Sequence, residues 1–475
     1  MPAAGLPPPR EPVPPPGDTP GGRPGHPGAP EAVPGPAAEA RRLVDEDARY
    51  FLRQAGSTPC LSAIQRAEGS WIEEVGGRRY LDFHGNSVHH LGHAHPRLVR
   101  ALKDQLDVLT FSPRRFTNQP AVALARKLAR LAPEPLGPHA KVLLAPSGSD
   151  AIEIALRLAR VATGRFKTVS FWDAYHGAGF GASSAGGQAQ YRSGRNGPLL
   201  PGAEHVAPFT CYRCPYGYPD RDGAPCLEVC HLTCARMVRY VLEKEGDVAA
   251  VIAEPIGSSA HLPPPGFWQE VRAACDAHGA LLIFDEIPNG LGKTGRLFAF
   301  EHFGAVPDVV VLGKALGGGI VPLAAVIARG DLDVAPELAI GHYTHEKSPF
   351  GARAGLATLE ILEDEGLVER ARALGAWALE RLRHLGARHP LVGDVRGLGL
   401  RLAVELVTDR ATKAPVGAAA RSVVRRAFAQ GLSFDVSGES VLALSPPLTV
   451  TQAELEAALA ILDACLDEEE AARPA

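Results

Sequence analysis

The segment VVVLGKALGGG, at Val309–Gly319, decides the fold that this chain is expected to adopt. Three consecutive valines and a leucine are typical of a short, fully buried strand of a parallel sheet, and the glycines favour a sharp turn beside something bulky. Lys314 lies at that junction. An ammonium group at the end of a buried strand is poorly solvated, so its pKa falls and the amine can act as a nucleophile or a base. The alternative is a lysine that ends a strand and reaches solvent.

Two further apolar runs of strand length end in a carboxylate. Ala280–Glu286, with the sequence ALLIFDE, carries Asp285, and Asp247–Pro255, with the sequence DVAAVIAEP, carries Glu254. A carboxylate that closes a buried strand requires a cationic partner or several hydrogen-bond donors. Open α/β sheets bind ligands at the carboxyl ends of their strands, so we expect both acids and Lys314 to face one ligand site.

This constellation resembles the class III aminotransferases, which are pyridoxal 5'-phosphate (PLP) enzymes of fold type I, over about Asp45 to Leu466. The resemblance implies an α/β fold in which a large domain carries a mostly parallel sheet and a smaller α+β domain is built from the N- and C-terminal segments. It implies that Lys314 forms the Schiff base with the cofactor aldehyde and that Asp285 pairs with the pyridinium nitrogen, which keeps the ring able to accept electrons. Glu254 is expected among the cofactor-binding residues.

A phosphate site is predicted where the strand Lys141–Pro146 meets the helix Asp150–Val161. The small turn Ser147-Gly148-Ser149 leaves backbone N–H groups free at the positive end of the helix dipole, although such a turn is equally typical of a simple helix N-cap. The family resemblance makes Gly148 and Ser149 the ligands of the cofactor phosphate.

Three more residues obtain a role from the resemblance. Tyr175 matches the aromatic side chain that stacks on the pyridine ring, and Ile287 would close the opposite ring face, an arrangement that favours cofactor retention and a fixed geometry. Thr344 aligns with the threonine that reaches the cofactor phosphate of the neighbouring subunit. A homodimer with shared active sites is therefore expected.

The chain departs from the family pattern at two positions. Pro288 replaces a glutamine that usually hydrogen-bonds the phenolic oxygen of the cofactor, and proline offers no donor. Ala443 stands two residues before Ser445, where the family commonly has an arginine that clamps the α-carboxylate of an amino-acid substrate. Because bidentate pairing of arginine with a carboxylate is a strong device for recognising an amino acid, the alanine predicts an amine substrate without an α-carboxylate.

Several segments resemble a narrower group within the family, the (R)-1-hydroxy-2-aminoethylphosphonate ammonia-lyases, which release phosphonoacetaldehyde. These segments are FHGNSVHHLG, SPRRFT, PSGSDAIEIAL, FWDAYHGAGFGASS, DEIPNGLGKTG and YTHEKSP. The expected reaction is a β-elimination, with a transaminase that passes the amino group to a keto acid as the alternative and a catalytically silent regulator as a third class. The candidate hydrogen-bond donors for the phosphonate are Arg114, Arg115 and Arg192. The alternative for each is an ordinary surface arginine.

Composition limits the partners and the compartment. The 475 residues allow two domains with a large core, and a net charge of −4 gives no sign of a nucleic-acid partner. The sequence has no apolar run long enough to span a bilayer and no secretory leader, so no membrane contact and a cytoplasmic location are expected. The expected partner is a small amine.

The chain divides into four segments. Residues 1–36 contain 14 prolines and 7 glycines, a composition that cannot bury enough apolar area to offset chain entropy, so disorder is expected. Residues 37–100 are assigned to the smaller domain, residues 101–355 to the large PLP-binding domain, and residues 356–475 to the C-terminal part of the smaller domain. In the second segment His84, Asn86, His89 and His90 belong either to the mouth of the site or to an ordinary hairpin region.

A cysteine-rich segment leaves two interpretations open. Cys211–Cys234 holds five cysteines, including a Cys-x-x-Cys pair and Cys226, a spacing that can hold structural zinc. The ligand set is irregular, and a surface thiol cluster is the alternative. No metal site is therefore assigned.

Overall fold

The structure, a computed structural model, describes residues 38–58, 60–137, 139–219 and 227–473. The segment 1–36, for which disorder is expected, and Cys226 lie outside these residues. In chain order the strands are β1 (Ile64–Glu68), β2 (Trp71–Glu74), β3 (Arg79–Asp82), β4 (Lys141–Ala145), β5 (Lys167–Phe171), β6 (Ala203–Val206), β7 (Val248–Ala253), β8 (Leu281–Asp285), β9 (Val309–Leu312), β10 (Ala324–Ala328), β11 (Val392–Leu398), β12 (Arg401–Leu406), β13 (Leu432–Ser433), β14 (Asp435–Ser437) and β15 (Val441–Leu444).

The helices follow the same numbering convention. They are α1 (Ala38–Tyr50), α2 (Pro96–Val108), α3 (Gln119–Leu131), α4 (Gly148–Thr163), α5 (Phe180–Ala185), α6 (Ala189–Arg192), α7 (Leu227–Cys230), α8 (Thr233–Glu245), α9 (Phe267–His278), α10 (Pro349–Asp364), α11 (Leu367–Arg388), α12 (Gly417–Ala429) and α13 (Gln452–Ala471). None of the helices in the described ranges is long and apolar enough to cross a membrane.

The central sheet has the strand order β4-β10-β9-β8-β7-β5-β6. Strand β10 runs antiparallel to both of its neighbours, and the remaining strands are parallel to one another. All residues of β7, β8 and β9 are buried. In β9, Val310 and Leu312 enter the hydrophobic core on one face of the sheet, whereas Val309 and Val311 enter the core on the other. Burial on both faces explains the continuous apolar run that the sequence shows there.

Two smaller sheets join the ends of the chain. Strand β13 pairs in parallel with β3, with Leu432 opposite Leu81, so residues from the N- and C-terminal segments share the sheet β1-β2-β3-β13. The other sheet, β11-β12-β15-β14, is antiparallel throughout. A mostly parallel central sheet beside a smaller α+β unit is the predicted fold class, which the structure confirms.

Two details of the sequence-based organisation change. The expected limit between residues 355 and 356 falls inside α10, a continuous helix that packs against α2 and α3, so the turn at Glu365–Gly366 is the better boundary. The apolar side chains at and just after the end of α1 are not covered by the described part of the chain. Tyr50 is 78 % exposed and Leu52 is 94 % exposed, because α1 ends at Tyr50 and the following segment does not continue the helix.

Candidate active site

The carboxyl ends of β7, β8 and β9 bring together the three residues that the sequence predicted for one site. The strands are parallel neighbours, with Ala253 paired to Phe284 and Asp285 paired to Val311. Glu254 follows β7, Asp285 ends β8, and Lys314 lies two residues after β9. The negative charges of Glu254 and Asp285 act on Lys314, which shows that the three side chains lie within electrostatic range.

Lys314 is held in an uncommon backbone conformation. It opens a 3₁₀ turn over Lys314–Gly317. Its backbone φ is 45°, a left-handed value that residues other than glycine rarely adopt. The side chain is half-buried, lines the cavity described below, and forms no hydrogen bond or ion pair with another described residue. Burial, followed by the positive charge of Arg401, lowers the pKa of Lys314. An amine with a depressed pKa is available as a nucleophile or base.

Asp285 is fixed from two sides. Its Oδ2 atom lies 2.8 Å from Nδ1 of His176, and its Oδ1 atom accepts a hydrogen bond of 3.0 Å from the backbone N–H of Ile287. Both Asp285 and His176 are buried. The Nε2 atom of His176 is buried without a hydrogen-bond partner among the described residues. Sequence reasoning missed His176, although its place directly after Tyr175 in the loop beyond β5 was a usable signal.

Glu254 is a buried carboxyl group with an unusual proton affinity. Burial raises the pKa of Glu254 to about 7, and the negative charge of Asp285 acts in the same direction. Ser258 donates a hydrogen bond of 2.8 Å to its Oε2 atom. Glu254 also lines the cavity that contains Lys314. A carboxyl group that is part-protonated near neutral pH can give or take a proton there.

The turn before α4 combines a serine N-cap with a glycine that packs closely against Ile287. Oγ of Ser147 accepts a hydrogen bond of 3.2 Å from the backbone N–H of Asp150, and Oγ of Ser149 accepts one of 3.0 Å from the backbone N–H of Ala178. A Cβ on Gly148 would lie 2.9 Å from the Cδ1 atom of Ile287. The N-terminus of this long helix therefore packs against Ile287 at close range, and residue 148 can approach Ile287 in this way because it is a glycine.

Tyr175, Ile287 and Thr344, the other residues expected to contact the cofactor, lie in different environments. Tyr175 is half-buried, its ring centroid lies 4.7 Å from that of Tyr191, and the charge of Asp285 influences its pKa, which burial raises. Ile287 lies between the two turns, since a Cβ on Gly313 would also approach it, at 3.3 Å. Thr344 is exposed and is not among the residues that line the cavity of its own chain.

A cavity of about 940 Å³ opens beside these strand ends. Its walls come from the loop after β3, the segments after β5 and β7, and the sheet β11-β12-β15-β14. Lys314, Glu254, Arg401, Ala443 and Ser445 all line it. Position 443 therefore lies on the cavity wall, and the alanine there provides no cation at that point of the wall. The sequence did not single out Arg401 or Ser445, although an arginine that opens an apolar strand was a signal of a buried charge.

The three arginines named for the phosphonate do not line this cavity. Arg114 and Arg115 are exposed on the described chain. Arg192 donates hydrogen bonds of 2.6 Å to the carbonyl oxygens of Ser184 and Gly186 and lies over the ring of Trp172, so its guanidinium holds the local backbone together.

The histidine-rich segment divides between the cavity and the core. His84 and Asn86 line the cavity, where Nε2 of His84 lies 2.7 Å from Oδ1 of Asn86. His89 and His90 are buried, and their Nε2 atoms lie 2.9 Å and 3.2 Å from the carbonyl oxygens of Asp82 and Gly290. Pro288, at the position of the expected glutamine, is buried.

Four of the cysteines surround a second, small cavity. Cys211, Cys214, Cys230 and Cys234 are all half-buried and line it together. Within the described ranges, the groups that bring at least three ligand atoms within 4.8 Å of one another are Asp82–His89–His93 and His389–Asp467–Glu470, and the cysteines form no such group. Burial and the neighbouring thiols raise the pKa of Cys234 to about 12. The zinc site and the surface thiol cluster both stay predictions for this segment.

Comparison with known proteins places this geometry in a class. The chain is similar to an amine transaminase from an uncultivated Pseudomonas species, solved with PLP bound, at 29 % identity and a TM-score of 0.81, with 88 % of this chain and 98 % of that chain covered. The class III aminotransferase family model matches residues 52–466. Fold and site therefore define a PLP-dependent enzyme. The chain belongs to the class III aminotransferase family.

Two characterised relatives differ in activity. The (R)-1-hydroxy-2-aminoethylphosphonate ammonia-lyase of Vibrio splendidus is 42 % identical over 431 residues, which cover 89 % of each chain. The leucine/methionine racemase of Thermococcus litoralis is 35 % identical and covers 91 % of this chain and 96 % of that protein. The family and the cofactor are thus shared, whereas the reaction varies among its members.

Proposed function

We propose that this protein is a PLP-dependent ammonia-lyase that converts (R)-1-hydroxy-2-aminoethylphosphonate into phosphonoacetaldehyde and ammonia. The observation that carries the proposal is the 42 % identity to the Vibrio splendidus ammonia-lyase over 89 % of both chains, compared with 35 % to the racemase. The cavity wall supports it, because Ala443 lines the position where an arginine would clamp an α-carboxylate.

The residues around the strand ends fit PLP. Lys314 offers an unpaired amine of depressed pKa for the aldehyde, and Asp285, oriented by His176, offers a carboxylate for the ring nitrogen. The N-terminus of α4 at Gly148 and Ser149 suits the phosphate. We assign Tyr175 and Ile287 to the two faces of the ring. When bound, the cofactor supplies an electron sink for the pair of electrons left by proton removal.

Lys314 is the base in this mechanism. With the substrate bound, the amine of Lys314 would remove a proton from the carbon that bears the nitrogen, a role for which its depressed pKa is suited. The hydroxyl on the adjacent carbon then leaves, and a proton from Lys314 or from Glu254, whose pKa is about 7, converts it to water.

The chemistry balances without a second substrate. Loss of water gives an aminovinylphosphonate, which tautomerises to an imine. Addition of one water to the imine releases phosphonoacetaldehyde and ammonia. No amino acceptor is consumed, and no external oxidant or reductant is required.

Transamination is the second candidate, and the similarity to a solved amine transaminase favours it. A transaminase keeps the amino group on the cofactor until a keto acid removes it. The two reactions therefore differ in whether turnover requires a keto acid.

The decisive experiment incubates the purified holoenzyme with (R)-1-hydroxy-2-aminoethylphosphonate in the absence of any keto acid. We expect ammonia and phosphonoacetaldehyde in equal amounts over many turnovers, with Lys314→Ala as the inactive control. If product stops after one equivalent and resumes on addition of pyruvate, the protein is a transaminase and the lyase proposal is wrong.

A further inference from the structure

Arg401 lies on the cavity wall next to the position of the missing arginine. It opens β12, which pairs with β15 so that Ala403 is directly opposite Ala443 and Leu402 is opposite Leu444. Side chains two residues apart on a strand point to the same face, so Arg401 shares the face of Ala403 and Ala443. The same register places Ser445 opposite Arg401. Arg401, Ala443 and Ser445 all line the cavity.

Arg401 forms no ion pair with a described carboxylate, although the charge of Glu254 on the same cavity wall acts on it and partly opposes the lowering of its pKa by burial. Arg213, on the same cavity wall, and Arg396 are both paired with Glu405. Arg401 has no carboxylate oxygen within 4 Å among the described residues. Its Nη2 atom donates a hydrogen bond of 2.5 Å to the carbonyl oxygen of Ser258, and its Nε atom is buried without a partner.

A second polar group beside it is also without a partner. The hydroxyl oxygen of Ser445 is buried and makes no hydrogen bond to the described residues, although the backbone N–H of Ser445 is held by the carbonyl oxygen of Phe83 at 2.7 Å. Buried polar groups normally have partners, and a half-buried cation without an ion pair is costly. A guanidinium that has no ion pair and a free Nε–H, together with a hydroxyl that has no partner, therefore indicates a site for an anionic group on this wall.

We propose that Arg401 binds the phosphonate group of the substrate and that the hydroxyl of Ser445 donates to the same group. This inference rests on the proposed function. An α-carboxylate is attached to the carbon that bears the amine, whereas the phosphonate of this substrate is attached one carbon further away. Moving the arginine from position 443 of β15 to position 401 of the adjacent strand changes where the anion is held relative to Lys314. The planar guanidinium presents donors in a fork that matches two oxygens of a phosphonate.

The test measures anion binding separately from turnover. The probe is 1-hydroxyethylphosphonate, which has the anion and the hydroxyl of the substrate but no amine, and its matched carboxylate is lactate. Binding of each to the PLP-loaded holoenzyme is measured by calorimetry for the parental protein and for Arg401→Met, Arg401→Lys and Ser445→Ala. Arg372→Met is the control, because Arg372 is an exposed surface residue paired with Glu369.

We expect the phosphonate to bind the parental holoenzyme more tightly than lactate. Arg401→Met should weaken phosphonate binding by about 100-fold and Arg401→Lys by about tenfold, since a lysine keeps the charge but not the fork. Ser445→Ala should weaken it by about fivefold, and Arg372→Met should leave it unchanged. The KM for the aminophosphonate should rise in the same order while the visible PLP absorbance is retained.

Three results would overturn the inference. The first is phosphonate binding by Arg401→Lys and Arg401→Met equal to that of the parental holoenzyme. The second is the lack of saturable phosphonate binding to the parental holoenzyme. The third is tighter binding of lactate than of the phosphonate, which would make the site a carboxylate site. Failure of the proposed lyase activity is distinguishable, because it would abolish keto-acid-independent ammonia release while leaving the Arg401-dependent binding intact.

Discussion

Lys314 combines a left-handed backbone, a cavity-facing amine and a depressed pKa, and each property depends on its place after β9. The positive φ of 45° costs about 1–3 kcal/mol in an ordinary residue, so the surrounding structure must hold the turn. Gly313 before it and the glycines after it allow that turn. Strain of this kind concentrates at functional sites, where it fixes the direction of a side chain.

Replacing Lys314 by alanine tests its proposed covalent and basic roles. We expect Lys314→Ala to lose the visible absorbance of lysine-bound PLP and to reduce turnover by at least about 10³-fold, because removal of a covalent and basic group eliminates both contributions. The measurements are the absorption spectrum and ammonia release. A variant that retained near-parental turnover would remove Lys314 from the mechanism.

Glu254 predicts a pH dependence with the sign of any carboxylic acid donor but shifted to higher pH. Its raised pKa of about 7 means that the carboxyl group is protonated below that pH and loses its proton as the pH rises through it. If Glu254 protonates the leaving hydroxyl, kcat should fall between about pH 6 and pH 8. Glu254→Gln should have a lower kcat without this decline. An unchanged pH profile in the glutamine variant would exclude Glu254 as the proton donor.

At the scale of elements, the N-terminus of α4 is held by the loop that follows β5. Gly177 has φ 131°, and a Cβ there would lie 2.4 Å from Oγ of Ser149 and 2.9 Å from its Cα. The loop can therefore close on the predicted phosphate turn only because residue 177 lacks a side chain. This packing, together with the hydrogen bond from Ala178 to Ser149, joins two segments that are 29 residues apart in the chain.

Gly177→Ala should loosen this junction and weaken PLP binding by about tenfold, because the added methyl group must displace Ser149 and also occupies a backbone conformation unfavourable by about 1–2 kcal/mol. PLP affinity is measured by equilibrium dialysis. The matched control is Gly164→Ala at the other end of α4, where φ is 67° and a Cβ would meet nothing within 4 Å. Equal loss of PLP affinity in both variants would show that strain alone, and not the phosphate turn, is responsible.

At the scale of the whole molecule, large apolar side chains are exposed in the N-terminal quarter of the described chain. They are Tyr50, Phe51, Leu52, Leu61, Ile64, Leu106, Val108, Leu109, Phe111 and Phe116. Exposed apolar side chains mark interaction sites when they form one contiguous patch, and we expect these residues to form one. Together with the exposure of Thr344, such a patch supports the proposed homodimer in which each subunit completes the cofactor site of the other.

We expect sedimentation equilibrium to show a homodimer at micromolar concentration. If Thr344 reaches the partner's cofactor phosphate, Thr344→Ala should weaken PLP retention by about 0.5–1.5 kcal/mol, the contribution of one hydrogen bond, without dissociating the dimer. An active monomer would contradict the shared site. Thr344→Ser, which keeps the hydroxyl, should retain PLP as the parental protein does.

Local pattern predicted the elements of the central sheet closely. The apolar runs at 247–255, 280–286 and 309–319 contain β7, β8 and β9, and the acids and the lysine at their ends could be identified because burial on both faces leaves no polar alternation within such strands. The turn before α4 was visible for a similar reason, since the start of a helix has a local chemical signature. Family resemblance, and not periodicity, supplied the individual roles.

Contacts between distant segments could not be predicted in this way. The antiparallel insertion of β10 between β4 and β9 depends on how the whole sheet packs, and the boundary within α10 moved because that helix packs on α2 and α3. His176 meets Asp285 from 109 residues away, and Arg401 meets Ser258 from 143 residues away.

The sequence by itself determined the buried strands, their terminal acids and lysine, and the absence of an arginine at position 443, because these depend on residue type and on neighbours along the chain. Only the tertiary structure decided that Arg401 faces the same cavity as Lys314 without an ion pair to a described residue. That property is set by strand pairing between β12 and β15 and by the engagement of Glu405 with other arginines. Whether a charged side chain has an ion-pair partner depends on residues that are distant in the sequence, so no local sequence pattern predicts it.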